Sequence, residues 1–238
     1  MDANKNKRRK ESLIQFLTVA VTALIAFVFV NYKDAMANTL LLNQIQKYET
    51  VETDEEVIRL YESIPTKVKE NFEDNGWKIE TYSQEDLESI YKLLNGEEIL
   101  DGYCVAAFTS PATKTIYLSS KMAYAEKSVV HEMGHYFDLK ISPDIVGTAA
   151  SGTSYFESIY ALEAAYSGKS EYAASQASEY FAESFRDYIE RPWKLKDTSP
   201  YTYDYICTLM TAYITGMEIE DKYKKDRQLP NGTIYRIE

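Results

Sequence analysis

Histidine is nearly absent from this chain: there are two residues in 238. Two imidazoles cannot build a three-histidine metal site, so any zinc centre here must find its third ligand among other residue types. Cysteine is equally scarce. Cys104 and Cys207 are too few and too far apart for a zinc ribbon or a redox C-x-x-C, although on the outer side of a membrane they could pair with each other. Nine glycines and six prolines leave no low-complexity linker, and no segment repeats. Basic charge is outnumbered by acidic over most of the chain. Residues 1–33 carry a net +4, so the remaining 205 carry −15 of the total −11. So acidic a body excludes nucleic acid and anionic surfaces as partners, and the charge serves solubility.

The exception to that acidity is the start. Lys5, Lys7, Arg8, Arg9 and Lys10 precede an uncharged run from Ser12 to Tyr32, almost wholly apolar from Leu13 to Val30. Such a pattern enters a membrane with its basic end on the cytoplasmic side. Ala35-Met36-Ala37 is an A-x-A cleavage site and points to a removed signal peptide. The length of the run, enough to span a bilayer, favours a retained anchor. In either case the body is expected outside the cell or at its surface, either membrane-anchored through this segment or secreted. The organisation expected is a signal or anchor over residues 1–37, a lead-in helix or stalk over 38–50, and one domain over 51–238.

Along that domain the periodicities alternate. Asp54 can cap a helix carrying Val57, Leu60, Tyr61 and Ile64, which ends at Pro65. A second helix from Thr66 to about Glu73 ends at Asn75-Gly76. Trp77 to Tyr82 alternates as a strand, and Ser83 with Asp86 opens a helix that Asn95-Gly96 stops. Tyr103 to Phe108 and Thr115 to Ser119 read as a hairpin. A helix from about Met122 to Lys140 follows, ending before Pro143, with Gly134 letting a neighbouring element approach closely. Further helices are expected over about 153–167, 174–190 and 201–217. The fold class is α+β: a small mixed lobe, then a mainly helical lobe, with the 122–140 helix at the cleft.

Both histidines lie in that helix, in His131-Glu132-Met133-Gly134-His135. Four residues apart, they stand one turn apart on one face and can share a single metal ion, with Glu132 beside it to move a proton. A hydrolytic zinc site needs a third protein ligand, here a carboxylate or a cysteine. Ser178-Glu179-Tyr180-Phe181-Ala182-Glu183-Ser184-Phe185 offers two glutamates one turn apart, with Phe181, Phe185 and Tyr188 on the opposite stripe. On its own, that pattern also describes a solvated acidic face.

The pair of segments HEMGHYFD and SEYFAESF resembles the peptidase domain of anthrax lethal factor and the secreted Pro-Pro endopeptidases, whose pattern is HE-[FLM]-GH followed downstream by E-[FY]-F-A-E-x-F. Tyr172 lies seven residues before Glu179, as does the catalytic tyrosine of the family, and Asp138 follows the second histidine at the family's spacing. The resemblance spans about residues 50–217. It implies an exported, gluzincin-like metalloendopeptidase with one zinc per chain, held by His131, His135 and Glu179. Glu132 would be the general base acting on a zinc-bound water, Tyr172 the oxyanion donor, and Glu183 and Asp138 supporting residues behind the ligands. The partner would be a peptide or protein substrate, docked as an extended strand along Val105, Ala106 and Ala107. Trp77 and Trp193 lie outside the hairpin, so a Pro-Pro preference does not follow. A non-catalytic surface or adhesion module that keeps the zinc site, and a zinc amidase acting on cell-wall peptides, are the competing readings.

Overall fold

The structure is a computed structural model and describes residues 38–99 and 102–224. The basic and apolar segment over residues 1–37 lies outside the described residues. Among the described residues no helix is long and apolar enough to cross a membrane. The chain divides into two units, residues 1–48 and 49–238. Of the first, the described part is a helix over residues 38–45 (α1).

The second unit begins with two short helices. In α2 (Glu55–Glu62) the Asp54 carboxylate accepts from Glu56 N at 2.8 Å and so caps the first turn. Helix α3 (Thr66–Asp74) buries Val68 and Phe72. Strand β1 (Lys78–Tyr82) follows, then α4 (Gln84–Asn95), capped by Ser83 and terminated by Gly96 at φ 68°, a left-handed conformation that glycine adopts without strain. Strands β2 (Ala107–Ser110) and β3 (Thr115–Ser119) form the antiparallel hairpin expected from the turn residues. The strand order is β1-β3-β2, with β1 parallel to β3. Central β3 has all five residues buried. β2 is shorter than expected, because Tyr103 to Ala106 lies outside the ladder apart from Ser119 N, which donates to Ala106 O.

Helix α5 (Met122–Tyr136) crosses this sheet and is covered on its other side by α8 (Ala177–Glu190). Sandwiched between two layers, it buries Val129, Val130, Met133 and Tyr136 in full. Edge-to-face contacts of Tyr136 with Phe72 and Trp77, at 4.9 and 5.0 Å between centroids, tie it to the first helices.

Three departures from the expected elements have local causes. The α-helical part of the motif helix stops at Tyr136 and continues as a π turn, Phe137–Ile141. The chain then stays helical through Pro143 as α6 (Ser142–Val146), because proline is tolerated in a first helical turn. Pro192 likewise starts α9 (Pro192–Thr198), a helix that lies between the expected 174–190 and 201–217 elements. Helix α7 (Ser154–Glu163) tightens into a 3-10 turn over Ala164–Tyr166. Helix α10 (Pro200–Thr215) completes the core with Tyr205, Ile206 and Leu209. Cys104 and Cys207 are both free thiols.

Candidate metal centre

Everything at the site depends on how closely α5 and α8 approach. A Cβ on Gly134 would lie 2.8 Å from Ala182 Cα and 2.9 Å from Ala182 O, distances no real side chain shows. Glycine on one helix and alanine on the other therefore bring the two backbones into contact, and with them the side chains on either side. His131 and His135 flank Gly134, three residues before it and one after, and Glu179 and Glu183 flank Ala182 in the same way.

The four side chains converge. His131 Nε2 is 3.3 Å from one oxygen of Glu179, and His135 Nε2 is 3.5 Å from the other. The two imidazoles meet edge to face, 4.9 Å between centroids. One ligand atom from each of His131, His135 and Glu179 lies within 4.8 Å of the others, a grouping able to hold a metal ion. On the far side of His131, Nδ1 is 3.2 Å from Glu183 Oε2. Glu183 is itself fixed by Arg186, whose Nη2 donates to Oε1 at 2.5 Å while Nη1 donates to the Lys127 carbonyl at 2.7 Å.

The donor chemistry fits a divalent cation. The Glu179 carboxylate turns one oxygen towards each imidazole, and Oε2 is buried with no well-formed hydrogen bond, 3.3 Å from His131 Nε2. Burial by itself would push the Glu179 carboxyl up, but His131 and His135 outweigh it and hold the group far below the usual carboxylate range. Burial likewise would lower His131, yet Glu179 and Glu183 raise it to about 9. In the protein alone a proton on imidazole balances the carboxylates, and a metal ion would supply the same positive charge at the same place.

Glu132 is buried, and the Thr109 hydroxyl donates to its Oε2 at 2.6 Å. Thr109 stands on β2, so the sheet fixes the orientation of this carboxylate. Nothing in the sequence marked Thr109, since a threonine in a β-prone run is ordinary until a helix folds against it. Tyr172 stands in the turn before α8 and lines, with His131 and Glu132, a cleft of about 940 Å³. Partial burial first, and then the charges of Glu179 and Glu132, raise its phenol above the ordinary range. The residue as a whole is 68% exposed, so solvent weakens that effect.

Asp138 lies in the π turn, fully buried, and spends both oxygens on Ser151: the amide donates at 2.8 Å and the hydroxyl at 2.6 Å. Burial raises its pKa, and those bonds together with the nearby charge of His135 oppose the rise. Its hydrogen bonds thus anchor the turn behind His135 and do not reach the imidazole.

Val105, Ala106 and Ala107 line the cleft. Their backbone groups are not equivalent. The Val105 carbonyl accepts from Gln84 Nε2 at 2.9 Å, and the Ala106 carbonyl accepts from Ser119 N at 3.0 Å. Antiparallel alternation then turns the N–H and C=O of Ala107 away from β3, along the outer edge of β2.

A histidine-bearing helix laid against a glutamate-bearing helix, beside an edge strand and a cleft, makes a candidate metal centre. The chain belongs to the family described as "Anthrax toxin lethal factor, N- and C-terminal domain", whose model matches residues 30–209 and so takes in both motifs. Among solved structures, the Pro-Pro endopeptidase PPEP-2 from Paenibacillus alvei has the same fold. It aligns over 69% of this chain and 98% of its own, with a TM-score of 0.53 and 23% identity. No curated protein sequence matches.

Proposed function

We propose that this chain is an exported zinc endopeptidase, anchored by or processed from its N-terminal segment, with the catalytic domain over residues 51–238. His131, His135 and Glu179 would hold one zinc ion, and Glu183 would orient His131 through Nδ1. When bound, the ion would polarise the scissile carbonyl and make water a competent nucleophile near neutral pH. Glu132 is the group that takes a proton from that water and delivers it to the leaving amine, and the Thr109 hydroxyl keeps its carboxylate turned for the transfer. The Tyr172 phenol, held protonated, donates a hydrogen bond to the oxygen on which negative charge develops, a role worth about 2–4 kcal/mol. A peptide substrate lies extended along β2, with the Ala107 N–H and C=O as its main-chain partners. The acidic body gives no purchase for nucleic acid.

A single observation carries the reading. A buried carboxylate, one oxygen of which has no well-formed hydrogen bond, faces both of the chain's imidazoles, and Glu132, next to His131 in the chain, is held in place by a strand hydroxyl. The testing experiment is hydrolysis of a degenerate peptide library by the purified protein, with and without a zinc chelator. Cleavage that the chelator stops and zinc restores supports the proposal. Zinc binding with no cleavage of any peptide would leave the adhesion reading in its place.

A further inference from the structure

In a body of net charge −15, one wall of the cleft is basic. Lys127, Lys169, Arg186, Arg191 and Lys194 line the cleft beside Glu183 and Asp187, and Glu97, Glu98 and Glu132 line it too. Lys169 and Arg186 are built into the wall, while Lys127 is exposed. The Lys169 side chain is 4% exposed, and its ammonium bonds Asp187 Oδ2 at 2.5 Å. Arg191 bonds the other oxygen of the same carboxylate, also at 2.5 Å. Asp187 thus bridges two cations, and Glu190 adds a further acid beside Arg186 and Arg191. Arg186 is engaged with Glu183, yet its Nε, like that of Arg191, is buried without a hydrogen-bond partner. Glu190 on the same helix has a buried oxygen in the same condition, but it does not line the cleft. Burial holds the Lys169 pKa below its ordinary value, and Asp187 and Glu183 oppose that lowering without cancelling it.

Resting on the peptidase reading of the cleft, we propose that this wall is a subsite for an acidic side chain of the substrate. A carboxylate entering here would complete the coordination of Lys169 and Arg191 with charge-assisted bonds. Its distance from the reacting bond follows from α8. Glu183 touches His131, and Asp187 lies one helical turn further on, about 6 Å along the axis. An extended peptide advances about 3.3 Å per residue, so that separation is the length of about two residues of substrate.

The test uses fluorescein-labelled, C-terminally amidated octapeptide pools that are random except at one fixed position, occupied by Glu or Gln. Anisotropy measures their binding to the full-length protein in zinc, and a parallel arm carries free C-termini. At one fixed position the Glu pool should bind about ten-fold tighter than the Gln pool. That ratio should fall towards one in Lys169→Gln, and also in Lys194→Glu, whose half-buried position makes it the safer variant to fold. Circular dichroism and melting verify both. A ratio near one at every position, or an undiminished ratio in both variants, overturns the subsite. So does tighter binding of free C-termini with no preference for internal Glu. Glu-dependent binding without any hydrolysis sustains the subsite and removes the peptidase reading instead.

Discussion

Substituting Gly134 by alanine tests whether the contact between α5 and α8 sets the site. The new Cβ would sit 2.8 and 2.9 Å from backbone atoms of Ala182 and 3.1 Å from Phe185 Cβ, where ordinary contact starts at 3.4 Å. Two of those atoms are main chain and cannot swing aside, so the helices must part by roughly half an ångström. Overpacking of this kind costs about 1–3 kcal/mol, and the better helix propensity of alanine returns about 1 kcal/mol. The net is a loss of about 1 kcal/mol and a Tm lower by about 2–4 °C in the metal-free protein. Parting the helices also separates Glu179 from His131 and His135, now 3.3 and 3.5 Å apart. Metal–ligand distances tolerate only about 0.2 Å, so zinc affinity should fall about ten-fold or more. Differential scanning fluorimetry and competitive zinc titration read the two effects. Helix propensity alone predicts the opposite sign for stability. A variant that melts higher than wild type and binds zinc equally well would refute the reasoning.

Four other outcomes follow from the same geometry. Thr109→Val should lower kcat about ten-fold with zinc content unchanged, and Thr109→Ser should restore most of it; no change in kcat for Thr109→Val would free Glu132 from this hydroxyl. Ala107→Pro removes the outward N–H of β2 and should raise KM with folding intact, whereas an unaltered KM would move the substrate path elsewhere. Asp138→Ala leaves the buried Ser151 amide and hydroxyl unpaired and should cost about 2–3 kcal/mol in chemical denaturation; a loss within experimental error would make that anchor dispensable. In chelated protein, the raised pKa of His131 gives stability that is complete below its ordinary 6.5 and is lost as pH rises through about 9. The lowered pKa of Glu179 gives stability that is complete above its ordinary 4.5 and lost below it. These are two views of one interaction, so Tm should peak between about pH 5 and 6 and decline towards pH 9, and a Tm still climbing at pH 8 would contradict it.

What could be read in advance was whatever depends on spacing. The His131–His135 interval, the Glu179–Glu183 interval and the small residue at Gly134 are local patterns, and a helix converts each into a face without help from the rest of the chain. The hairpin announced itself through Ser110-Pro111 between two β-prone runs. Tertiary partners were not legible in this way. Thr109 meets Glu132 only because β2 lies beneath α5, and Arg186 reaches the Lys127 carbonyl only because α8 packs on α5. Asp138 pointed towards the site by its interval from His135, but the π turn widens the backbone there and directs its hydrogen bonds to Ser151. Pro192 and Pro143 were ambiguous in principle, since proline ends one helix and opens another equally well.

The central claim is that two imidazoles and Glu179 hold one metal ion, and metal stoichiometry tests it most directly. Zinc should be measured by elemental analysis on the gently purified protein and on the Glu132→Ala, Glu179→Ala and Glu183→Ala variants. The account predicts one zinc per chain in the wild type and in Glu132→Ala. Glu179→Ala should lose nearly all of it, and Glu183→Ala should show a weaker site that refills on adding zinc. Wild-type protein with zinc far below one equivalent that does not recover on adding zinc, or zinc retained in full by Glu179→Ala, would contradict it.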